Sequence, residues 1–189
     1  IDCFKQVNDR YGHAAGDAVI REMSTRLVAA FRDTDYLIRW GGEEFLVVAR
    51  ATPRSHAADL AERARAAVAD QDFQLEDGRF LSKTCSIGFC CFPLSMQHAA
   101  ALDWAAAVKI ADAALYAVKG AGRNGWLGAL SAGGESAEAL LARSRRPLAE
   151  WTRSGGLKLV CSPHHDGLRA AGFLDTASSP EISSAAAVE

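Results

Sequence analysis

An α/β fold of the α+β type is the fold class that this sequence predicts. Short apolar runs that are typical of strands alternate with three long segments whose apolar residues recur at helical spacing. Two consecutive glycines lie between two of the strand-like runs, and this is a strong hairpin signal because glycine adopts positive φ without a Cβ clash. The chain has 189 residues, of which 49% are hydrophobic, which is enough for the core of one domain with an appendage.

The predicted elements follow one another regularly before residue 128. The sequence predicts the end of a strand at 1–3, a short helix at 4–11 that Gly12 stops, and an amphipathic helix at about 16–31. The pattern further predicts hairpin strands at 36–38 and 45–48, a helix around 60–68, strands at 80–81 and 83–92, a helix at 104–118 and a short strand at 124–127.

The composition changes in the last third of the chain. Residues 131–136 form a Gly/Ser-rich connector, residues 137–151 have helical spacing that Pro147 disturbs, and residues 157–160 predict a strand. Two histidines occupy a turn at 163–167, where polar loop residues are a better interpretation than a metal site. We therefore divide the chain into a domain at 1–127, an extension at 128–176 and a Ser/Ala-rich tail at 177–189 that we expect to be disordered.

Charge and cysteine usage exclude several classes of function. A net charge of −2 provides no general electrostatic basis for binding nucleic acid or a membrane surface. The five cysteines include no C-x-x-C pair, and adjacent Cys90 and Cys91 lie in an apolar run, which indicates buried free thiols in a reducing compartment. This sequence also contains no run of eighteen apolar residues and no signal peptide. We expect a cytoplasmic domain, or the cytoplasmic end of a membrane-anchored sensor.

The predicted hairpin carries two adjacent carboxylates, Glu43 and Glu44, directly after Gly41 and Gly42. Bare glycine backbone lets a bulky anionic ligand approach closely. A carboxylate pair beside it suggests a hard cation, and Mg²⁺ in turn suggests nucleotide phosphates. Taken alone, these four residues would more often be a hairpin with two solvated glutamates, and it is the rest of the chain that favours the metal site.

Three separated motifs occur in a fixed order, FKQVNDRYGHAAGD at 4–17, RWGGEEF at 39–45 and AVKGAGRN at 117–124. With these motifs, residues 1–127 resemble the GGDEF family of bacterial diguanylate cyclases. The resemblance implies a palm-like fold related to adenylate cyclases, with a central, mostly antiparallel sheet flanked by helices. It also implies that two GTP condense to cyclic di-GMP with release of two pyrophosphates, and that each protomer of an antiparallel homodimer holds one GTP.

The resemblance assigns roles to individual residues. Mg²⁺ or Mn²⁺ would be held by Glu43, Glu44 and the backbone carbonyl of Ile1, with Glu43 also the candidate base. These residue types suit the reaction because a 3′-hydroxyl must lose its proton and pyrophosphate must leave. Asn8 and Asp17 have the donors and acceptors to pair with a guanine edge. The implied substrate-binding residues are Phe4, Lys5, Asn8, His13, Asp17, Gly41, Gly42, Lys119 and Arg123, with Lys5, Lys119 and Arg123 at the phosphates.

A separate R-x-x-D motif runs from Arg32 to Asp35, with five residues between Asp35 and Gly41. It matches the inhibitory site of the family, where cyclic di-GMP binds and arrests the enzyme, and Arg63 matches the secondary arginine of that site. An arginine fork grips guanine or phosphate, and an aspartate accepts from guanine N1 and N2. Taken alone the tetrad would be a local i,i+3 ion pair, but its offset from Gly41 favours the inhibitory site.

The family pattern Asp-x-Asp-x-Phe-Lys is matched only from its second position. Its leading Asp, a metal ligand in the family, would stand immediately before Ile1, and Asp2 matches the second acidic position, for which a bracing role is open. We expect a fragment of a larger protein with an upstream sensor, and we expect this fragment to bind cyclic di-GMP with little or no cyclase activity. The alternative function is a non-cyclising nucleotide receptor that binds cyclic di-GMP or GTP.

Overall fold

The computed structural model describes residues 1–163 and 165–171. Its helices are α1 (Phe4–Tyr11), α2 (His13–Ala30), α3 (Ala57–Ala69), α4 (Trp104–Gly120), α5 (Ala137–Arg143), α6 (Leu148–Arg153) and α7 (Asp166–Ala170), with a 3₁₀ turn at Arg54–His56. Its strands are β1 (Tyr36–Gly41), β2 (Glu44–Val48), β3 (Phe73–Gln74), β4 (Phe80–Leu81), β5 (Ser86–Cys90), β6 (Gly125–Ser131) and β7 (Leu157–Cys161).

The long helices of the sequence prediction are confirmed, but the prediction of a strand end at 1–3 is wrong. Cys3 has a φ of 52°, a left-handed conformation that breaks the extended run, and α1 begins at the next residue. The strand predicted at 83–92 is shorter, with only 86–90 paired. The two-residue strand β3 was not predicted, because two residues are too few to show an alternating pattern.

The predicted hairpin is present, and its turn lies one residue later than the glycine pair suggested. Gly41 pairs with Glu44, so the two turn residues are Gly42 and Glu43. The register shifts between Arg39 and Gly41, which places a bulge just before the turn. Gly42 has a φ of 45°, which is the reason for glycine at this position.

The strands form three hydrogen-bonded sheets within the described residues. Two of these sheets are antiparallel pairs, β1 with β2 and β3 with β4. In the third sheet, β6 is central and pairs in parallel with β5 and antiparallel with β7. The first two residues lie between the hairpin and β5, since Ile1 N donates to Glu43 O over 3.0 Å and Asp2 N donates to Thr84 O over 2.9 Å. The α+β class is confirmed, with the strands divided among sheets.

Two hydrophobic clusters underlie these sheets. One is formed by α1, α2, α3 and β3, and its most buried members are Val7, Val19, Val68 and Phe73. The other joins α4 and β6 to the helices and strand of the C-terminal extension, through Val118, Leu127, Leu140, Trp151, Leu159 and Leu168. The extension therefore shares a core with α4 and β6.

The predicted domain boundary at residue 127 falls inside a strand, because β6 runs from 125 to 131. The helical pattern of 137–151 is two helices separated at Pro147, which has no N–H to donate and stands at the N-cap of α6. The boundaries at 127 and 176 stay predictions, and the tail at 177–189 lies outside the described residues.

The cysteines are free thiols, as the sequence predicted for the adjacent pair. Burial raises the pKa of Cys90 to about 12 and also raises the pKa of Cys91. Cys90 therefore stays protonated and unreactive at neutral pH. Within the described residues, none of the helices combines the length and apolar character that crossing a membrane requires.

Candidate nucleotide and metal site

The hairpin turn presents its two carboxylates on a backbone that is held in place. Arg39 reaches back over the turn and donates from Nε and Nη2 to Gly42 O, over 3.1 and 2.9 Å. Glu43 is half-buried and Glu44 is exposed. The exposed carboxylate is thus open to a ligand arriving from solvent.

The third motif lies against this turn. Lys119, in the last turn of α4, places its Nζ 3.3 Å from Glu44 Oε1. An ion pair this exposed contributes little to stability, about 0–1 kcal/mol. Its significance is that a cation and an anion from motifs 75 residues apart share one small region of surface.

The segment just before the first motif is joined to the third motif through Asp2, which is only 4% exposed. Its carboxylate accepts hydrogen bonds of 2.7 Å from Thr84 Oγ1 and 2.7 Å from Ser86 Oγ, and one of 3.1 Å from the backbone N of Asn124. A buried carboxylate needs such donors, because removing an anion from water without them is unfavourable. The bracing role left open for Asp2 is the one that these contacts give it.

The α1–α2 region positions the predicted guanine-binding residue Asn8. Gly16 faces it so closely that a Cβ there would lie 2.0 Å from Asn8 Oδ1 and 3.1 Å from Phe4 Cζ. Gly16 therefore leaves the space that the Asn8 carboxamide occupies, since a Cβ there would displace it, and Phe4 is a buried anchor under the site. Asp17, on the same helix as Gly16, is exposed.

The remaining predicted substrate residues are also on the surface. Lys5 is exposed on α1 and His13 is exposed at the start of α2. Arg123 follows α4 with its side chain exposed. Within residues 1–163 and 165–171, no hydrogen bond or ion pair links Lys5, Asn8 or Asp17 to the hairpin turn, so their roles as ligands stay predictions.

The predicted metal ligands supply oxygen donors only. The described part of the chain contains no group of three His, Cys, Asp or Glu side chains arranged to hold an ion. Glu43 and Glu44 contribute two carboxylates, and the hydrogen bond from Ile1 N to Glu43 O brings the first residue against the turn. Carboxylate and carbonyl oxygens suit Mg²⁺ or Mn²⁺, which also take ligands from water and nucleotide phosphates, so this donor set fits a metal that binds together with its nucleotide.

Two of the three predicted inhibitory residues line a shallow pocket, together with residues that were not predicted. Arg32 and Arg63 both line it, and Arg63 Nε donates to Ala30 O over 2.7 Å. The other lining residues are Thr52, His56, Asp59 and Leu60.

Asp35 does not form the side-chain ion pair that a local i,i+3 interpretation predicts. Its carboxylate accepts from two backbone amides, Arg32 N over 3.1 Å and Arg50 N over 2.9 Å. Asp35 therefore fixes the backbone next to Arg32.

Sequence reasoning missed the residues that support the third motif. Arg65 Nη1 donates to Asn124 Oδ1 over 2.9 Å, and His165 Nε2 lies 2.9 Å from Arg123 O. His165 lies in a loop, as predicted, but it is buried, which the sequence did not indicate, while His164 lies outside the described residues. These partners are 59 and 42 positions away, and no local pattern marks them.

Comparison with known proteins agrees with these motifs. The family profile described as diguanylate cyclase, GGDEF domain, matches residues 1–125. Diguanylate cyclase A of Treponema denticola is 40% identical over 124 residues, which are 66% of this chain and 32% of that protein. The chain spans about a third of the length of the curated relatives it matches first.

Two solved structures show the same fold. The GGDEF domain of DgcB from Caulobacter crescentus, in complex with c-di-GMP, is 33% identical with a TM-score of 0.56, covering 66% of this chain and 70% of that chain. The active GGEEF domain of a diguanylate cyclase from Vibrio cholerae is 33% identical with a TM-score of 0.53, covering 66% of this chain and 74% of that chain. By its motifs, its fold and this profile match, the chain belongs to the GGDEF family of diguanylate cyclases.

Proposed function

We propose that this chain is the catalytic domain of a diguanylate cyclase, which joins two GTP into cyclic di-GMP and releases two pyrophosphates. The observation that carries the proposal is the position of the third motif, which meets the second motif through Lys119 and Glu44 and meets the segment just before the first motif through Asn124 and Asp2. A similar domain from Vibrio cholerae, which also has the sequence GGEEF, is described as active. The Glu43–Glu44 pair is therefore compatible with catalysis.

Charge complementarity places the triphosphate near the third motif in this proposal. Lys119 lies beside the turn and Arg123 is an exposed cation of the same motif, and both suit phosphate oxygens, Arg123 through its planar fork. Asn8 and Asp17 would pair with the guanine edge, with Gly16 leaving the space that the Asn8 side chain occupies.

The reaction forms a bond between a 3′-oxygen and an α-phosphorus and breaks the bond from that phosphorus to pyrophosphate. The 3′-hydroxyl proton goes to a base. Glu43 is the candidate, since it is a half-buried carboxylate in the turn itself. Glu43, Glu44 and the carbonyl of Ile1 would hold the metal, which supplies charge neutralisation at the phosphates and a lower pKa of the attacking hydroxyl. Lys119 and Arg123 would stabilise the charge that develops on the leaving pyrophosphate.

Cyclisation requires two such sites facing each other. Each 3′-hydroxyl attacks the α-phosphorus of the other nucleotide, so a protomer with one GTP site acts as half of a homodimer. In the proposal, an upstream sensor in the whole protein sets the effective concentration of the two domains, and the domain works in the cytoplasm, where GTP is available.

Incubation of the full-length protein with GTP and Mg²⁺ tests this proposal. We expect one cyclic di-GMP and two pyrophosphates for every two GTP consumed, measured by chromatography and a pyrophosphate assay. Chelation of the metal with EDTA is the control and should stop the reaction. Intact GTP, or hydrolysis to GDP without cyclic di-GMP, would contradict the proposal.

The pocket around Arg32 and Arg63 supports a second, regulatory proposal. Two arginines that line one pocket away from the hairpin turn suit the phosphates and guanines of cyclic di-GMP. The complex of the Caulobacter crescentus domain with c-di-GMP favours this ligand class. Should the enzyme proposal fail, the same pocket would support the alternative, a non-cyclising receptor for cyclic di-GMP.

Arg32→Ala should weaken cyclic di-GMP binding about tenfold or more, because it removes a charge-assisted hydrogen-bond donor from the pocket. GTP affinity should be nearly unchanged, since the hairpin turn is a separate site. Titration calorimetry with cyclic di-GMP measures the effect. Arg21→Ala, which removes an exposed arginine paired with Glu76, is the matched control. Unchanged affinity in the Arg32 variant would place the product elsewhere.

A further inference from the structure

The turn that carries Arg123 has an unusual backbone. Gly122, Arg123 and Asn124 have positive φ angles of 122°, 64° and 46°. Glycine adopts this region freely, whereas Arg and Asn meet a steric penalty there. Strained backbone of this kind persists where surrounding contacts fix it, and it is concentrated at functional sites. The contacts that fix this turn are therefore informative about its use.

One peptide unit of the turn is held on its N–H side by Asp2, in the segment just before the first motif. Asn124 donates this N–H to Asp2 Oδ2 over 3.1 Å, and its side-chain oxygen accepts from Arg65 Nη1 over 2.9 Å. Both contacts come from the part of the chain that the family profile matches, residues 1–125.

The carbonyl of the same peptide unit is held from the C-terminal extension. His165 Nε2 lies 2.9 Å from Arg123 O. A carbonyl only accepts, so Nε2 carries the hydrogen and donates it. His165 is 8% exposed, and its Nδ1 is buried without a hydrogen-bond partner among the described residues. The bond to Arg123 is thus the one that orients the ring.

Ser162 fixes the strand that leaves the turn. Its Oγ accepts from Trp126 N over 2.6 Å, and its N donates to Trp126 O over 3.0 Å. The packing is close, since a Cβ on Gly125 would lie 2.3 Å from His165 Cδ2. The segment therefore touches both the turn and the start of β6.

We propose that Ser162 and His165 form a C-terminal brace that positions Arg123 for the terminal phosphates of GTP, with His165 as its main positioning residue. His165 acts through the Arg123 peptide and does not itself touch the nucleotide. The phosphate role of Arg123 rests on the proposed function, whereas the brace rests on the contacts above. Since the family profile ends at residue 125, the brace makes the nucleotide site depend on the extension of this chain.

Comparison of His165→Asn with His165→Gln distinguishes the effect of losing the hydrogen bond to Arg123 O from the effect of losing the imidazole ring. Gln carries its amide nitrogen about as far from the backbone as imidazole Nε2, whereas Asn is too short to reach. In the full-length protein, His165→Asn should raise the KM for GTP about 5- to 10-fold with little change in kcat. Amide hydrogen exchange of residues 121–126 should become faster by a similar factor. His165→Gln should bring both values back toward wild type.

Steady-state kinetics and hydrogen exchange by mass spectrometry measure these effects, and cyclic di-GMP affinity at the Arg32 pocket should stay unchanged. Wild-type values of KM and exchange in His165→Asn would overturn the proposal. Faster exchange with an unchanged KM would also overturn it, because the brace would then be structural only. If the wild-type protein made no cyclic di-GMP, the proposed function would be wrong. The role of the brace would still be decided by comparing the GTP affinity and the hydrogen exchange of His165→Asn with those of the wild type.

Discussion

Replacement of Glu44 by alanine is expected to lower the rate of cyclic di-GMP formation by about 10²-fold or more, a few kcal/mol of transition-state stabilisation. Glu44 is exposed at the hairpin turn and pairs with Lys119 on the surface, so the fold does not depend on its side chain. Its removal takes one of the two side-chain carboxylates from the proposed metal site. The loss should therefore appear in turnover and not in thermal stability.

The assay for this variant is cyclic di-GMP formation by the full-length protein with GTP and Mg²⁺, beside a thermal melt of each protein. Glu44→Gln keeps the volume and removes the charge, and should lose nearly as much activity as Glu44→Ala. Asp112→Ala, on the exposed face of α4, is the matched control for loss of a surface carboxylate. Turnover near wild type in Glu44→Ala would refute the metal assignment.

Replacement of Asp2 by alanine should destabilise the domain by about 3 kcal/mol, because it leaves buried donors without their acceptor. Asp2 is 4% exposed, and its carboxylate accepts hydrogen bonds from Thr84, Ser86 and the backbone amide of Asn124. The same change releases the Arg123–Asn124 peptide on one side. Activity should fall with stability, through weaker GTP binding.

Urea denaturation followed by tryptophan fluorescence measures the Asp2 effect. Asp9→Ala is the matched control, because Asp9 is an exposed carboxylate on α1 and should change stability by less than about 0.5 kcal/mol. If Asp2→Ala were as stable as Asp9→Ala, the carboxylate would not hold the N-terminal segment to the third motif.

Local sequence patterns were sufficient for the helices and for the hairpin. The long helices carry apolar residues at a clear helical period, and the glycine pair marks the turn between β1 and β2. The turn lies one residue later than predicted because a bulge between Arg39 and Gly41 shifts the register, and a bulge leaves no composition signal of its own.

The prediction of the site was incomplete because it depends on contacts between residues that are far apart in sequence. The motifs indicated Lys119 and Glu44 separately, but their 3.3 Å approach depends on how α4 packs beside the hairpin. The buried state of His165 depends on the extension sharing a core with α4 and β6, which no local pattern specifies. These features depend on tertiary packing, which local sequence patterns do not predict.

Hydrogen exchange of the full-length protein with Mg²⁺ and a non-hydrolysable GTP analogue tests most directly whether the three motifs form one nucleotide site. We predict slower exchange in peptides that cover residues 4–17, 41–45 and 119–124, with the same half-saturating concentration in all three. Exchange in the peptide that covers residues 54–63 should stay unchanged. Protection confined to residues 32–35 and 52–63, or three motifs that saturate at different concentrations, would contradict a single site.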